Sequence, residues 1–259
     1  MRKFFLGDVH GSFLALLQCL ERCGFNKETD ELITGGDIVD GGSQSFECVS
    51  ELLTIPNRID IVGNHDAWWH IFLQNGGAFH PTLKDKEQGD QGAEATLLSY
   101  QKNCGGKVGD EIFLYIPEEH KTFFRRQVNK YRDGDKVFVH GGFYSFEDDT
   151  RDQLTWDRTM LFDAITLHNA GKQMDEYYTQ FDDIFIGHTA TTNYRLANGK
   201  FIWLDKDDRD KYEPITTPIN VFNIWNLDTG AGGCGKLTIM DIDTKEYWQS
   251  DLITDLYPK

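Results

Sequence analysis

No apolar run in this chain reaches the roughly 18 residues that a membrane-spanning helix requires. The N-terminus passes from Arg2 and Lys3 straight into a short apolar segment rather than into the longer apolar core of a secretory signal. These absences predict a soluble, cytoplasmic protein with no membrane partner. Cysteine is sparse: Cys19, Cys23, Cys48, Cys104 and Cys234 are scattered, odd in number and never spaced C-x-x-C. The spacing offers no disulfide or thiolate-zinc framework, and reduced thiols that mostly serve packing are expected. Positive charge is also short, with 26 Lys and Arg against 42 Asp and Glu, a formal charge of −16. A nucleic-acid polymer or an anionic membrane surface needs a cationic face to displace counterions, so neither is an expected partner. The acids are dispersed along the chain, which assigns them to solubility rather than chemistry. No internal repeat or low-complexity tract divides the 259 residues, and 39% apolar content is enough for one substantial core. A single domain over 1–259 is expected; nothing fixes an oligomeric state.

The first third alternates short apolar runs with segments of helical period: 4–6 then 13–20, 32–34 then 46–53, and 59–62 then 68–73. This βαβαβα order predicts parallel strands with helical crossovers, and in such sheets ligands bind beyond the carboxyl ends of the strands. Between about 76 and 132 the pattern breaks up, and the segment reads as an insertion carrying helices near 87–102 and 118–130. Apolar runs return at 136–139 and 183–186. An Asn198-Gly199 turn between 194–196 and 200–204 signals a hairpin. Strands are expected at 219–222 and 237–242, with a flexible glycine loop at 230–235 and mainly antiparallel pairing in this half.

Five apolar runs end in a glycine or turn beside residues that ligate metals or move protons: FFLGDVHG, LITGGDIVDGG, DIVGNHD, VFVHGG and IFIGHT. Singly, each has an ordinary explanation, since Gly-Asp is a common turn and a lone buried histidine usually completes a core hydrogen bond. Five such turns arising independently is the weaker account. A rigid strand end followed by a glycine turn aims Asp8, His10, Asp37, Asn64, His140 and His188 into one crevice. An N/O donor set without thiolate suits two first-row divalent ions, with Asp37 placed to bridge them. Manganese is the expected metal, with zinc, iron and cobalt as alternatives.

The order GDVHG, GGDIVDGG, GNHD, VHGG and GH resembles the calcineurin-like metallophosphoesterases, and more narrowly their phosphoprotein phosphatase branch. LTWDR, with Trp156 and Arg158, and the later LDTGAGGCGKLT are similar to the bacteriophage lambda type of serine/threonine protein phosphatase. The resemblance covers nearly the whole chain apart from the insertion. It implies a four-layer α/β/β/α sandwich with two mixed sheets and a dinuclear metal site at their top edge. It also implies roles: Asp8 and His10 on the first metal, Asp37 bridging, and Asn64, His140 and His188 on the second. His65 would protonate the leaving group, Asp40 would orient its ring, and Asp66 would support the site from behind. Arg158 and Asn64 would meet the substrate phosphate. The activity implied is hydrolysis of a phosphorylated protein or small phosphate monoester by a metal-activated hydroxide.

One position departs from the family pattern. Gly41 stands where a phosphate-binding arginine is expected in Gly-Asp-x-Val-Asp-Arg-Gly. A nearby cation such as Arg195 or the Arg125-Arg126 pair would compensate, or a backbone nest at Gly41 and Gly42, or a diester substrate that needs less positive charge. The alternative function is a dinucleoside polyphosphate hydrolase or cyclic-nucleotide phosphodiesterase, with Trp68, Trp69 or Tyr144 stacking on a base. A catalytically silent binding module is the third reading, opposed by the complete donor set with His65 and Asp40.

Overall fold

The computed structural model describes residues 1–77, 92–105, 112–205, 207–208 and 211–258. Strands β1 (Lys3–Leu6), β2 (Glu31–Thr34) and β3 (Arg58–Asp60) pair in parallel, separated in sequence by helices α1 (Phe13–Arg22) and α2 (Ser45–Leu53). Helix α3 (Asn64–Gln74) follows β3. The antiparallel strands β11 (Thr238–Asp241) and β12 (Tyr247–Gln249) complete a five-stranded sheet ordered β12-β11-β1-β2-β3. A second five-stranded sheet is built from β4 (Lys130–Asp133), β5 (Lys136–Val139), β6 (Asp183–Ile186), β9 (Ile219–Val221) and β10 (Ile224–Asn226), in the order β4-β5-β6-β10-β9. Strands β7 (Tyr194–Ala197) and β8 (Lys200–Trp203) form a separate hairpin.

Alternation along the strands explains why these sheets stack. Phe4, Leu6, Leu32 and Ile239 point to one side, into a core shared with α1 and α2, whereas Phe5, Ile33 and Met240 point to the other. In the second sheet Phe138 and Phe185 turn inward to meet Phe5, while Val137, Val139, Ile184 and Ile186 face the opposite way. They pack there against α6 (Arg151–Trp156) and α7 (Thr159–Asn169), through Leu154, Met160, Leu161, Ala164 and Ile165. Helix, sheet, sheet and helix layers follow, because a strand buried on both faces must be apolar at both parities. No described helix is long and apolar enough to cross a membrane.

Several details differ from the periodicity. Helix α4 spans Ala93–Cys104 and α5 spans Glu118–Arg126, so α5 ends four residues before 130. The chain turns extended at Gln127, Val128 bridges to Ile61, and 130–133 become β4 rather than the tail of an insertion. Residues 87–91 of the expected first helix lie outside the described residues. Pairing in this half is mainly antiparallel as expected, with β5–β6 and β6–β10 the parallel pairs that make the second sheet mixed. The expected hairpin is present, with Asn198 and Gly199 at φ 52° and 72°, the left-handed pair that matches the strand twist.

Candidate functional site

The carboxyl ends of the parallel strands in both sheets open onto one crevice. β1 runs out to Asp8 and His10, β2 to Asp37 and Asp40, β3 to Asn64 and His65, β5 to His140, and β6 to His188. The backbone there is forced. Of the seven described non-glycine residues with positive φ, His10 (49°), Asp37 (51°), Asp40 (69°) and His188 (65°) all lie at this edge. Left-handed backbone costs an L-residue about 1–2 kcal/mol, and such conformations persist where the surroundings over-determine them.

Several of the side chains singled out in the motifs lie close together. Asp37 Oδ2 lies 3.2 Å from His140 Nε2 and 3.8 Å from His10 Nε2, and Asn64 Oδ1 is 3.1 Å from His140 Nε2. Two donor groups emerge, each with its ligand atoms within 4.8 Å of one another: His10, Asp37 and His65, and Asp37, His140 and His188. Asp37 belongs to both. Backbone and ring contacts set the remaining orientations: His10 Nδ1 lies 3.1 Å from the Asp40 carbonyl, and His140 Nδ1 2.7 Å from the Gly35 carbonyl. The His188 amide donates to Asp8 Oδ2 at 3.0 Å. These contacts aim the opposite ring nitrogens inward. Asp8 Oδ1 and His188 Nε2 are buried without a hydrogen-bond partner, which is costly for atoms of this polarity unless a cation is their complement.

The electrostatics point the same way. Burial, reinforced by Asp228 and Asp37, holds the Asp8 carboxyl well above the ordinary range. Burial opposes ionisation of Asp37 too, but the imidazoles of His140 and His65 hold it well below that range. His140 resists its own burial and is pushed up to about 10 by Asp37 and Asp8. Burial, then His140 and Arg158, keeps His188 neutral, with its pKa well below the usual imidazole value. His188 is thus a neutral donor, whereas Asp8 and His140 hold protons that a divalent cation would displace on binding.

His65 stands apart in its bonding. Its Nδ1 is 2.9 Å from Asp40 Oδ2, and although burial works against the cation, Asp37 and Asp40 raise its pKa. Asp66 is fully buried and ties two loops together, accepting from the Ile38 and Gly63 amides at 2.9 and 3.2 Å and from Gln127 Nε2 at 2.8 Å. Arg158 caps α7, and its Nη2 makes one long contact, 3.5 Å, to the His188 carbonyl. It does not pair with Asp157, whose carboxylate instead accepts from the Thr159 and Met160 amides. The guanidinium therefore keeps donors for an anion.

The backbone nest proposed at Gly41 and Gly42 is overturned. Gly41 N–H donates to the Gly92 carbonyl at 3.3 Å and Gly42 N–H to the His10 carbonyl at 2.8 Å, so neither is open to phosphate. Arg125 is held by Glu118, and Arg195 lies 4.2 Å over the Tyr212 ring. The loop 230–235 folds as a tight turn, with Gly233 and Gly235 N–H both donating to the Gly230 carbonyl. A Cβ at Gly232 would meet His10 Cδ2 at 2.7 Å, so glycine here lets the loop close on that ring. Trp69 packs in the core against Phe72 and Tyr100, whereas Trp68 touches His65 and lies 5.2 Å from Trp156.

Three residues of the site were not singled out from sequence: Asp228, Thr96 and Gln127. Asp228 follows β10 and is buried within the fields of His10, Asp37 and His140. An apolar strand ending in Asp-Thr-Gly repeats the signature of the five motifs and would have found it. Thr96 and Gln127 carry no local signal.

Two mixed sheets with candidate metal ligands, a His-Asp pair and an arginine at their shared edge fit a phosphoesterase. Residues 1–196 match the calcineurin-like phosphoesterase family, and the chain belongs to it. It is 32% identical over 109 residues to serine/threonine-protein phosphatase 2 of Salmonella typhimurium, an alignment covering 38% of this chain and 47% of that enzyme. It is 24% identical to the symmetrical bis(5'-nucleosyl)-tetraphosphatase of Neisseria gonorrhoeae, over 96% of this chain and 95% of that one. Among solved structures, a metallophosphoesterase from Sphaerobacter thermophilus shares the fold at 18% identity with a TM-score of 0.53, covering 97% of this chain and 89% of that one.

Proposed function

We propose that the protein hydrolyses phosphate monoesters in the manner of a serine/threonine protein phosphatase, in the cytoplasm, where its unpaired cysteines stay reduced. Asp8, His10 and Asp37 would hold one divalent ion, and Asp37, Asn64, His140 and His188 a second, manganese being the metal proposed for this N/O set. Two such ions, when bound, supply Lewis-acid charge and a nucleophile at neutral pH. Arg158 clamps the phosphoryl oxygens with its planar fork. His65, doubly protonated and held at Nδ1 by Asp40, gives its Nε2 proton to the departing oxygen. Asp66 fixes the backbone at Ile38 and Gly63, and so the loops that carry Asp37 and Asn64.

The observation that carries this reading is the His65–Asp40 contact of 2.9 Å, which engages Nδ1 of a histidine that also lies in the first donor group. It gives the site a proton donor separate from the six residues proposed to hold the ions. Hydrolysis of a symmetrical dinucleoside tetraphosphate is the second reading. It is favoured by the end-to-end similarity to the Neisseria enzyme and by Trp156, which is 39% exposed and lies against Trp68 and His188 as a surface for a base.

One panel separates them: a phosphoserine peptide, p-nitrophenyl phosphate, its bis-ester and diadenosine tetraphosphate, each with manganese and with chelator. Fastest metal-dependent turnover of the monoesters supports the phosphatase, and a preference for the dinucleotide supports the second reading. Failure of the manganese-loaded protein on all four would remove both.

A further inference from the structure

Asp40 has two oxygens, and His65 uses one. The other, Oδ1, accepts a hydrogen bond of 2.8 Å from Thr96 Oγ1, a residue of α4, 56 positions away in the chain. The same hydroxyl oxygen accepts the Asp40 amide at 2.9 Å and lies 3.1 Å from Ser45 Oγ. A hydroxyl has one proton and two lone pairs. With its proton on Asp40 Oδ1 and one lone pair facing the Asp40 N–H, the remaining lone pair receives the Ser45 proton, so every site on Thr96 Oγ1 is filled. Ser45 and Thr96 are fully buried, and water does not compete for these bonds.

Asp40 needs such a grip. Its φ of 69° is left-handed, and the next residue, Gly41, stands at 93°. A short acidic side chain on a strained turn has several ways to relax, each of which would swing Oδ2 away from His65. Thr96 holds the turn at both the amide and the carboxylate. Gly92, the N-cap of α4, holds the following peptide by accepting the Gly41 amide at 3.3 Å.

We propose that Thr96 is a positioning residue for proton delivery: α4 reaches from outside the strand-end motifs and, through one hydroxyl, sets the orientation of Asp40 and so of the His65 ring. The proposal rests on the reading of His65 as proton donor, and its test keeps the two apart. Thr96→Val preserves shape and removes both the donor and the acceptors, whereas Thr96→Ser keeps them.

Kinetics would compare p-nitrophenyl phosphate, whose leaving group scarcely needs a proton, with a phosphoserine peptide, whose leaving group does. Thr96→Val is expected to lower kcat on the peptide by about tenfold, a fraction of what a general acid contributes. The loss on the aryl ester should be no more than about twofold, with KM and metal content unchanged, and Thr96→Ser should recover most of the deficit. In a His65→Asn background Thr96→Val should add nothing, because residues acting through one group are not additive.

A readout without turnover is the His65 Nδ1 proton in metal-free protein, shifted downfield by its carboxylate partner. This resonance should be present in the parent and in Thr96→Ser and move upfield or vanish in Thr96→Val. Equal kinetic losses on both esters, an undiminished effect without His65, or an unmoved proton resonance would overturn the role of Thr96. If the parent protein turned over no ester at all, the proposed function would fall, and the proton resonance alone would decide the Thr96 contact.

Discussion

Asp37 is the residue on which most of the site's geometry depends. Its Oδ1 accepts the His65 amide at 2.9 Å, fixing the start of α3, while Oδ2 faces both His10 and His140. As the member common to both donor groups it would serve both ions. Asp37→Ala is expected to lower metal affinity by at least about 100-fold, beyond the 10- to 100-fold typical for a residue that only supports a ligand. Metal analysis after gel filtration should find fewer than one ion per chain, against two in the parent. Retention of both ions by Asp37→Ala would show that the carboxylate is not a bridge. Gly41 is the opposite case. A side chain there would have room, its nearest contact being His10 Cβ at 3.5 Å, but its φ of 93° lies beyond even the left-handed well. An arginine at 41 would therefore carry backbone strain as well as charge.

Among the elements, α5 shows how a helix outside the strand-end motifs is fastened. Its inner face presents His120, Phe123 and Phe124, and the His120 ring stacks on Phe46 of α2 at 4.6 Å. Ser50 Oγ donates to the Phe46 carbonyl at 2.8 Å, so toward His120 Nε2, 3.2 Å away, it acts as acceptor. His120 is thus protonated at Nε2, and its bare Nδ1 accepts from the Tyr100 hydroxyl at 3.0 Å. Both nitrogens are used only in the neutral ring, and burial pushes its pKa down to about 4. Between that value and the unfolded value near 6.5, the unfolded chain takes up a proton that the folded chain refuses. The stabilisation is therefore complete above about pH 6.5 and lost as pH falls toward about 4, a change of about 1–3 kcal/mol. His120→Gln should flatten this component. Urea unfolding of both proteins at about pH 7.5 and about pH 5 measures it, and an identical pH dependence in the two would contradict the assignment.

At the scale of the molecule the site is a seam. The His140 contact with the Gly35 carbonyl and the His188 amide bond to Asp8 both join the second sheet to the first. Ions held by Asp8 and His10 on one sheet and His140 and His188 on the other would clasp the two together, and would bind the folded chain alone. At 100 times its dissociation constant one ligand adds about 2.7 kcal/mol, which for a chain of this size raises Tm by about 5–10 °C. Calorimetry of chelator-treated protein with and without manganese tests this. Coincident melting temperatures would mean that the donor set is not a metal site.

Much was legible in the sequence because it is written locally. Alternation such as Phe4-Phe5-Leu6, helical period in 13–20, and left-handed turn chemistry at Asn198-Gly199 depend on near neighbours, so the strand-helix order and the strand-end motifs could be read directly. The failures lie where local signal is weak or shared. β10 and β12 are three residues each and include polar Asn226 and Gln249, too short to show a period. The stretch 127–133 is extended because Val128 and β4 find partners in two different sheets, which no window of sequence contains. Gly41 and Gly42 read as open donors until the fold laid Gly92 and His10 against them. Residue types and their order along the chain were determined by the sequence itself. Which atoms meet across 56 residues, as Thr96 and Asp40 do, or across 180, as His188 and Asp8 do, was decided only by tertiary structure, because a hydrogen bond depends on distance in space and not on separation along the chain.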